Sequence, residues 1–141
     1  MVYGMRNKFL KIVSVELSDF FFQLSKKRFK NDRHISIVKG DSEKEIKKYL
    51  KYFNKASVFW LDGHNSFGNT AKGKLNTPVV NELQSILNHK NKSHVILIDD
   101  AREFTGENDY PEINELKKML KNSNYDMNVK DDIIRITPQQ Y

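Results

Sequence analysis

Acidic side chains stand at the ends of four short apolar segments of the chain. They are Glu16, Asp41, Asp62 and the adjacent pair Asp99 and Asp100. Ligands of an open α/β sheet bind beyond the carboxyl ends of its strands. If the four segments are neighbouring parallel strands, these side chains therefore line one rim. Taken singly, each acid is also explained as a helix cap or a turn-forming residue.

The first two positions suit the recognition of a nucleoside. A carboxylate at the end of a strand, as at Glu16, accepts hydrogen bonds from both hydroxyl groups of a ribose. Asp41 and Ser42 could hydrogen-bond an adenine amino group, although Ser42 could equally do no more than cap the helix that follows.

The other acids are candidate metal ligands. Asp62, Asp99 and Asp100 carry the oxygen atoms that Mg²⁺ prefers, in the number that such a site takes from a protein. The alternative for the pair is that one carboxylate of Asp99 and Asp100 faces solvent and the other caps a turn.

A histidine follows the third acid after one intervening glycine. The imidazole of His64 beside a metal-bound hydroxyl group would be a general base, and Asp62 would share the catalytic site with it. The alternative is that His64 is an ordinary polar residue of a surface loop.

The segment 68–74 matches the beginning of a phosphate-binding P-loop. That motif needs Ser or Thr after its lysine and a helix that begins at once, but Leu75 follows Lys74, and Thr77 and Pro78 delay the next helix. We therefore interpret the segment as a loop over the rim, where Lys72 and Lys74 would meet an anionic acceptor.

The elements that must position these residues alternate along the chain. β-Branched runs predict strands, and stripes of helical period predict helices between them. The expected strands are 12–17, 35–38, 57–61 and 95–98, and a hairpin follows at 125–137. The expected helices begin at Ser18, at a capping box of Ser42 and Glu45, at Thr77-Pro78 with Val80, Leu83 and Leu87 facing the core, and near Pro111. This order predicts a single domain over 1–141 of the α/β class, with a doubly wound, mostly parallel sheet and a terminal antiparallel hairpin.

Composition narrows the function classes. The 141 residues include no cysteine, so disulfides and thiolate chemistry are excluded. The formal net charge is +6, but the cations fall on predicted helix faces, where solvation explains them, so nucleic-acid binding is not favoured. No apolar run is long enough to span a membrane, and no signal peptide is recognisable. We expect a cytoplasmic protein.

Four short motifs in this order resemble class I S-adenosylmethionine-dependent methyltransferases, and most closely the macrocin-type sugar O-methyltransferases. They are 15–18 (VELS), 40–42 (GDS), 59–64 (FWLDGH) and 98–100 (IDD). The resemblance covers about 9–137 and implies a seven-stranded sheet with a terminal hairpin. It implies S-adenosylmethionine as cofactor and a sugar, glycan or related hydroxylated small molecule as acceptor.

The resemblance also implies a role for each candidate residue. Glu16 would hold the cofactor ribose, while Asp41 and Ser42 would contact its adenine. Asp62 would belong to the cofactor site and, with Asp99 and Asp100, to a Mg²⁺ site. His64 would be the base.

The sequence departs from that family at one point. Its glycines, at 4, 40, 63, 68, 73 and 106, form no close cluster after a strand, whereas the family's first strand ends in a glycine-rich turn. We therefore expect a domain incomplete at its amino terminus, with 12–17 lacking a neighbour in the sheet. A homodimer partner, a rearrangement or an amino-terminal extension could fill the gap. The alternative function is a non-catalytic binding or relic domain, oligomeric and without cofactor chemistry.

Overall fold

The computed structural model describes residues 2–5, 7–63 and 77–139, in which helices and strands alternate as the sequence predicts. The helices are α1 (Val2–Met5), α2 (Asp19–Arg28), α3 (Ser42–Leu50), α4 (Val79–Leu87) and α5 (Ile113–Met119). The strands are β1 (Ile12–Glu16), β2 (Ile35–Lys39), β3 (Val58–Leu61), β4 (Val95–Ile98), β5 (Tyr125–Lys130) and β6 (Ile133–Pro138). None of the described helices combines the length and apolarity needed to cross a membrane.

Strand pairing confirms the predicted α/β class. β1 pairs with β2 and β3 pairs with β4, both in parallel. The hairpin of β5 and β6 then joins antiparallel, with β6 against β4 and β5 outermost. Its turn residues Asp131 and Asp132 both adopt the left-handed backbone conformation, with φ of 55° and 59°, which the tightest hairpin turns require.

The strands do not form one continuous sheet in the part of the chain that the structure describes. β1 and β2 make a two-stranded sheet, and the other four strands follow the order β3-β4-β6-β5. The single seven-stranded sheet implied by the resemblance is therefore not what the described residues form. Helix α3, the crossover from β2 to β3, contacts both β1 and α4 and so links the two sheets.

The hydrophobic core belongs mainly to the four-stranded sheet. Its fully enclosed side chains are Leu83, Ile86, Ile96, Ile98, Leu116, Ile134 and Ile136. The two-stranded sheet is covered far less, because neither β1 nor α2 contributes a buried residue. Two large side chains of α2, Phe20 and Leu24, are 67% and 50% exposed.

One local detail of the prediction was wrong and another was incomplete. The N-cap of α3 is Asp41, whose side chain accepts from the Glu43 amide, and Ser42 is already the first helical residue. Both residue types are good caps, and Asp41 takes that place. In α4, Leu83 is buried and Val80 and Leu87 pack against the core, as predicted, but Val79 and Ile86 are also buried and were not predicted.

Candidate functional site at the carboxyl ends of the strands

Backbone contacts bring the carboxyl ends of paired strands together. The amide of Gly40, just after β2, donates to the carbonyl of Glu16 at the end of β1, at 3.1 Å. The amide of Asp99, just after β4, donates to the carbonyl of Leu61 at the end of β3, at 3.0 Å. Each pair of strands therefore ends at one level, with an acidic residue at or beside each exit.

The two pairs of strands, β1 with β2 and β3 with β4, meet at Gly63. A side chain at this position would approach Ser42 Oγ to 3.3 Å and Pro78 Cγ to 3.1 Å. The exit of β3, the first turn of α3 and the beginning of α4 are thus in close contact. The predicted site residues after β2 and β3 consequently lie along one rim, which bridges the break between the sheets.

Glu16 is half-buried at the end of β1, and its carboxylate is directed into the following loop. Oε1 accepts the backbone amide of Ser18 at 2.9 Å. Ser18 in turn caps α2, as predicted, by accepting from the amide of Phe21. The hydrogen bond from Ser18 fixes the Glu16 carboxylate at the rim. Its other oxygen, Oε2, is the candidate acceptor for a hydrogen bond from a ligand.

Asp41 is also half-buried, and its carboxylate caps α3. Oδ1 accepts the amide of Glu43 at 3.2 Å, and Oδ2 lies 3.5 Å from Nζ of Lys44. The cap interpretation of this acid is therefore correct, and the carboxylate is held in place at a helix N-terminus, where negative charge is stabilised.

Ser42 contacts a buried acid that the sequence interpretation missed. Its side chain hydrogen-bonds the carboxyl group of Glu82, which is 2% exposed. Among the described residues, Glu82 Oε2 has no hydrogen-bond partner. Burial, followed by the charges of Asp41 and Glu43, raises the pKa of Glu82 to about 7. The signal was present in the sequence, because Glu82 shares a helical face with Val79 and Ile86.

A tyrosine that the sequence interpretation also missed lies near the acids that follow β3 and β4. Burial raises the pKa of Tyr110, and the carboxylates of Glu103, Asp100 and Asp62 raise it further. Its side chain also hydrogen-bonds Thr77. Tyr110 therefore marks the place where Asp62 and Asp100 approach a common side chain.

Asp99 and Asp100 both have local partners. Oδ1 of Asp99 accepts the amide of Asp100 at 3.0 Å. Oδ1 of Asp100 lies 2.8 Å from Nη2 of Arg102. Asp100 also adopts the left-handed conformation, with φ of 54°, which Asp tolerates better than most residues.

The predicted Mg²⁺ site is not assembled in the part of the chain that the structure describes. Residues 2–5, 7–63 and 77–139 contain no group of three or more His, Cys, Asp or Glu side chains that could hold a metal ion. Asp62 and Asp100 both lie near Tyr110, but Arg102 already supplies the cation beside Asp100. A metal at this rim stays a prediction.

Two of the predicted features lie outside the described residues. One is His64, the predicted base. The other is the segment 68–74, with Lys72 and Lys74.

Comparison with known proteins identifies the fold. No protein-family model and no curated protein matches the sequence. Among the solved structures that resemble the chain are two that match 92% of its length. One is the fibrillarin pre-rRNA processing protein of Methanococcus jannaschii, at a TM-score of 0.53 and 13% identity. The other is a candidate caffeoyl-CoA O-methyltransferase of Staphylococcus aureus, at a TM-score of 0.56 and 12% identity. The fold is Rossmann-like.

The chain matches only part of each of those two proteins. The chain spans 57% of the Methanococcus jannaschii protein and 65% of the Staphylococcus aureus protein. At 13% and 12% identity, the similarity shows the fold alone. In this architecture ligands bind at the carboxyl ends of the strands, where the rim described above lies.

Proposed function

We propose that the chain is an S-adenosylmethionine-dependent O-methyltransferase domain, or part of one, that acts on a sugar or a related hydroxylated small molecule. The observation that carries the proposal is the rim, where half-buried Glu16, Asp41 and Ser42 lie at the carboxyl ends of two parallel strands in a Rossmann-like fold. The name of the Staphylococcus aureus neighbour, a candidate O-methyltransferase, supports the same reaction class.

The side chains at the rim have the chemistry that a nucleoside needs. Glu16 would accept hydrogen bonds from the ribose hydroxyl groups, because a carboxylate offers several lone pairs in one plane. Asp41 and Ser42, at the beginning of α3, would contact the adenine. Both acids are held by backbone amides, so little side-chain freedom is lost when a ligand binds.

The transfer itself needs an acceptor hydroxyl group and a base beyond the adenosine site. The cofactor would supply a methyl group on a positively charged sulfur; the acceptor oxygen would displace that sulfur and lose its proton. We place the acceptor near Asp62, which is exposed at the end of β3, and propose His64 as the base. Mg²⁺, if bound by Asp62, Asp99 and Asp100, would lower the pKa of the acceptor hydroxyl group.

Calorimetric titration of the chain with S-adenosylmethionine, with and without Mg²⁺, tests the proposal. We expect micromolar binding, and in Glu16→Gln a loss of about tenfold in affinity, the size of a charge-assisted hydrogen bond. Asp126→Asn is the control with the same carboxyl-to-amide change, because Asp126 is an exposed acid on β5, the outermost strand of the four-stranded sheet. A folded chain that binds no S-adenosylmethionine, or one in which both variants lose affinity equally, would contradict the assignment.

A second candidate function rests on the break in the sheet. β1 pairs with β2 alone, and β3 pairs with β4 alone, among the described strands. Unpaired strand edges are sites of association, so a non-catalytic binding domain that dimerises by completing its sheet is the alternative. Sedimentation analysis separates the two candidates: a stable dimer with no affinity for S-adenosylmethionine supports the alternative, whereas a monomer that binds the cofactor excludes it.

A further inference from the structure

A buried carboxyl group lies behind the rim, one residue removed from the proposed adenosine site. Glu82 is on the buried face of α4, beside Leu83, and reaches across to the first turn of α3. Its carboxyl group hydrogen-bonds Ser42. Among the described residues, the oxygen Oε2 of that carboxyl group has no hydrogen-bond partner. Burying a carboxyl group with one unsatisfied oxygen costs free energy, so the position of Glu82 needs an explanation.

Ser42 connects this carboxyl group to the rim. Its side chain is bonded to Glu82 on one side, and on the other Oγ lies 3.3 Å from the position that a Gly63 side chain would occupy. The hydroxyl group therefore lies between a buried acid and the space at the strand ends. A serine has one proton to donate and two lone pairs that accept, so its bond to one neighbour decides what it offers to the next.

We propose that Glu82 is a positioning residue, which determines whether Ser42 presents its hydroxyl group to a bound adenosine as a hydrogen-bond acceptor or as a donor. The inference rests on the proposed function, because it assigns the adenine of the cofactor to Ser42.

The two protonation states of Glu82 have opposite effects. An ionised carboxylate accepts the proton of Ser42, which leaves the serine lone pairs to accept from the amino group of an adenine. A neutral carboxyl group donates its own proton to Ser42 Oγ, which occupies one of the two serine lone pairs and turns the serine hydroxyl proton away from Glu82 and towards the rim. In that state a donor faces the donating amino group, which disfavours binding.

The charges around Glu82 place this exchange in the range of neutral pH. Its pKa is raised to about 7, first by burial and then by Asp41 and Glu43. Those two carboxylates have their own cations on α3, Lys44 at 3.5 Å and Lys47 at 3.0 Å, so burial remains the larger cause. The affinity for adenosine should therefore increase as pH rises through about 7.

The experiment has a ligand-free part and a binding part. In the ligand-free chain, ¹³C and amide NMR should show the Glu82 carboxyl group titrating, with the Ser42 signals following the same midpoint. Titration with adenosine at pH 6 and at pH 8.5 should give an affinity about fivefold higher at the upper pH, the effect of one neutral hydrogen bond.

Variants separate Glu82 from other titrating groups. Glu82→Gln keeps the size of the side chain and should remove the pH dependence of adenosine binding. Ser42→Ala should also remove this pH dependence, and it should weaken binding at both pH values. Glu43→Gln, a matched carboxyl-to-amide change on the same surface of α3, should keep it. An unchanged pH dependence in Glu82→Gln, or Ser42 signals that ignore the Glu82 titration, would overturn the inference. Absence of adenosine binding at every pH would instead overturn the proposed function, while the ligand-free titration still decides the link between Glu82 and Ser42.

Discussion

Nδ1 of His89 and Nε2 of His94 lie 2.9 Å apart, between the end of α4 and the beginning of β4. A separation of this size requires one nitrogen to carry a proton and the other to accept it. His94 is fully buried, with its ring at 5.2 Å from that of Phe59 in an edge-on arrangement. Burial is the main cause that lowers the pKa of His94, and the charges of His89 and Lys92 lower it further.

The first prediction is a loss of stability in mild acid. Because the pKa of His94 is depressed in the folded chain, the unfolded chain takes up its proton first as pH falls below 6.5. The free energy of unfolding contributed by neutral His94 is therefore complete above pH 6.5 and is lost on the acid side. Urea titrations at pH 8 and pH 5 should therefore show a lower free energy of unfolding at pH 5, with part of the decrease due to this residue.

Substitution identifies the source of that decrease. His94→Gln should reduce the difference between the two pH values, whatever it costs at pH 8. His89→Gln is the control, since it removes the neighbouring imidazole but leaves His94 buried, so most of the difference should remain. If His89→Gln abolished the difference and His94→Gln kept it, the assignment to burial of His94 would be wrong.

The second prediction concerns the stability effect of Glu82. Its folded pKa is raised from 4.5 to about 7, so the unfolded chain loses the proton first as pH rises. Stability from the neutral carboxyl group is complete below pH 4.5 and decreases as pH rises to about 7, in total by about 3 kcal/mol. Glu82→Gln should therefore stabilise the chain at pH 8 by about 1–3 kcal/mol and change little at pH 4.5.

Glu43→Gln is the control for this prediction. The pKa of Glu43 is lowered, first by its hydrogen bond with Lys47, so neutralising it should cost a little stability at pH 8. Chemical denaturation of both variants at pH 8 and pH 4.5 measures these changes in the free energy of unfolding. A Glu82→Gln variant less stable than the parent at pH 8 would show that the carboxylate is stabilised by contacts beyond those described.

The third prediction compares two leucines on helices of the two halves of the fold. Leu83 of α4 is 0% exposed, whereas Leu24 of α2 is 50% exposed. Leu83→Ala should lower the free energy of unfolding by about 2–5 kcal/mol because it leaves a cavity, and Leu24→Ala by roughly 0.5 kcal/mol or less. Equal losses in the two variants would mean that a partner chain covers α2 in solution.

Much of the element order was predictable from the sequence, because short β-branched runs are bounded by polar turns. The strand expected over 95–98 is β4 without change, and the hairpin was expected around Asp131 and Asp132. Placing the cap of α3 failed by one residue, since Asp41 and Ser42 are adjacent and both residue types cap helices well. Periodicity correctly placed Val80, Leu83 and Leu87 against the core, but it missed Val79 and Ile86, which are buried more deeply than Val80 and Leu87.

The contacts of the site were beyond a sequence-based prediction for a physical reason. A carboxylate after a strand is expected at the rim, but its partners depend on side chains from other elements. The bond between Ser42 and Glu82 joins two helices that are distant along the chain, and the approach of Tyr110 to Asp62 and Asp100 joins a loop to two strand ends. Roles for Glu16 and Asp41 stay predictions, because their geometry fits both a ligand site and a local contact with a backbone amide. The role of Asp62 stays a prediction as well.

The last prediction follows from the break between the two sheets. Every residue of β1 is only half-buried, and among the described strands β1 has one hydrogen-bonded neighbour, β2. β4 instead has β3 and β6 on its two sides, with Ile96 and Ile98 enclosed. Because local opening exposes amides that lack covering contacts, β1 amides such as those of Val13 and Val15 should exchange with solvent at least about tenfold faster than that of Ile96.

Hydrogen exchange at low protein concentration measures this difference in exchange rate, and the same measurement after further dilution is the control. Protection of β1 equal to that of β4, and lost on dilution, would show instead that a second copy pairs with the open edge.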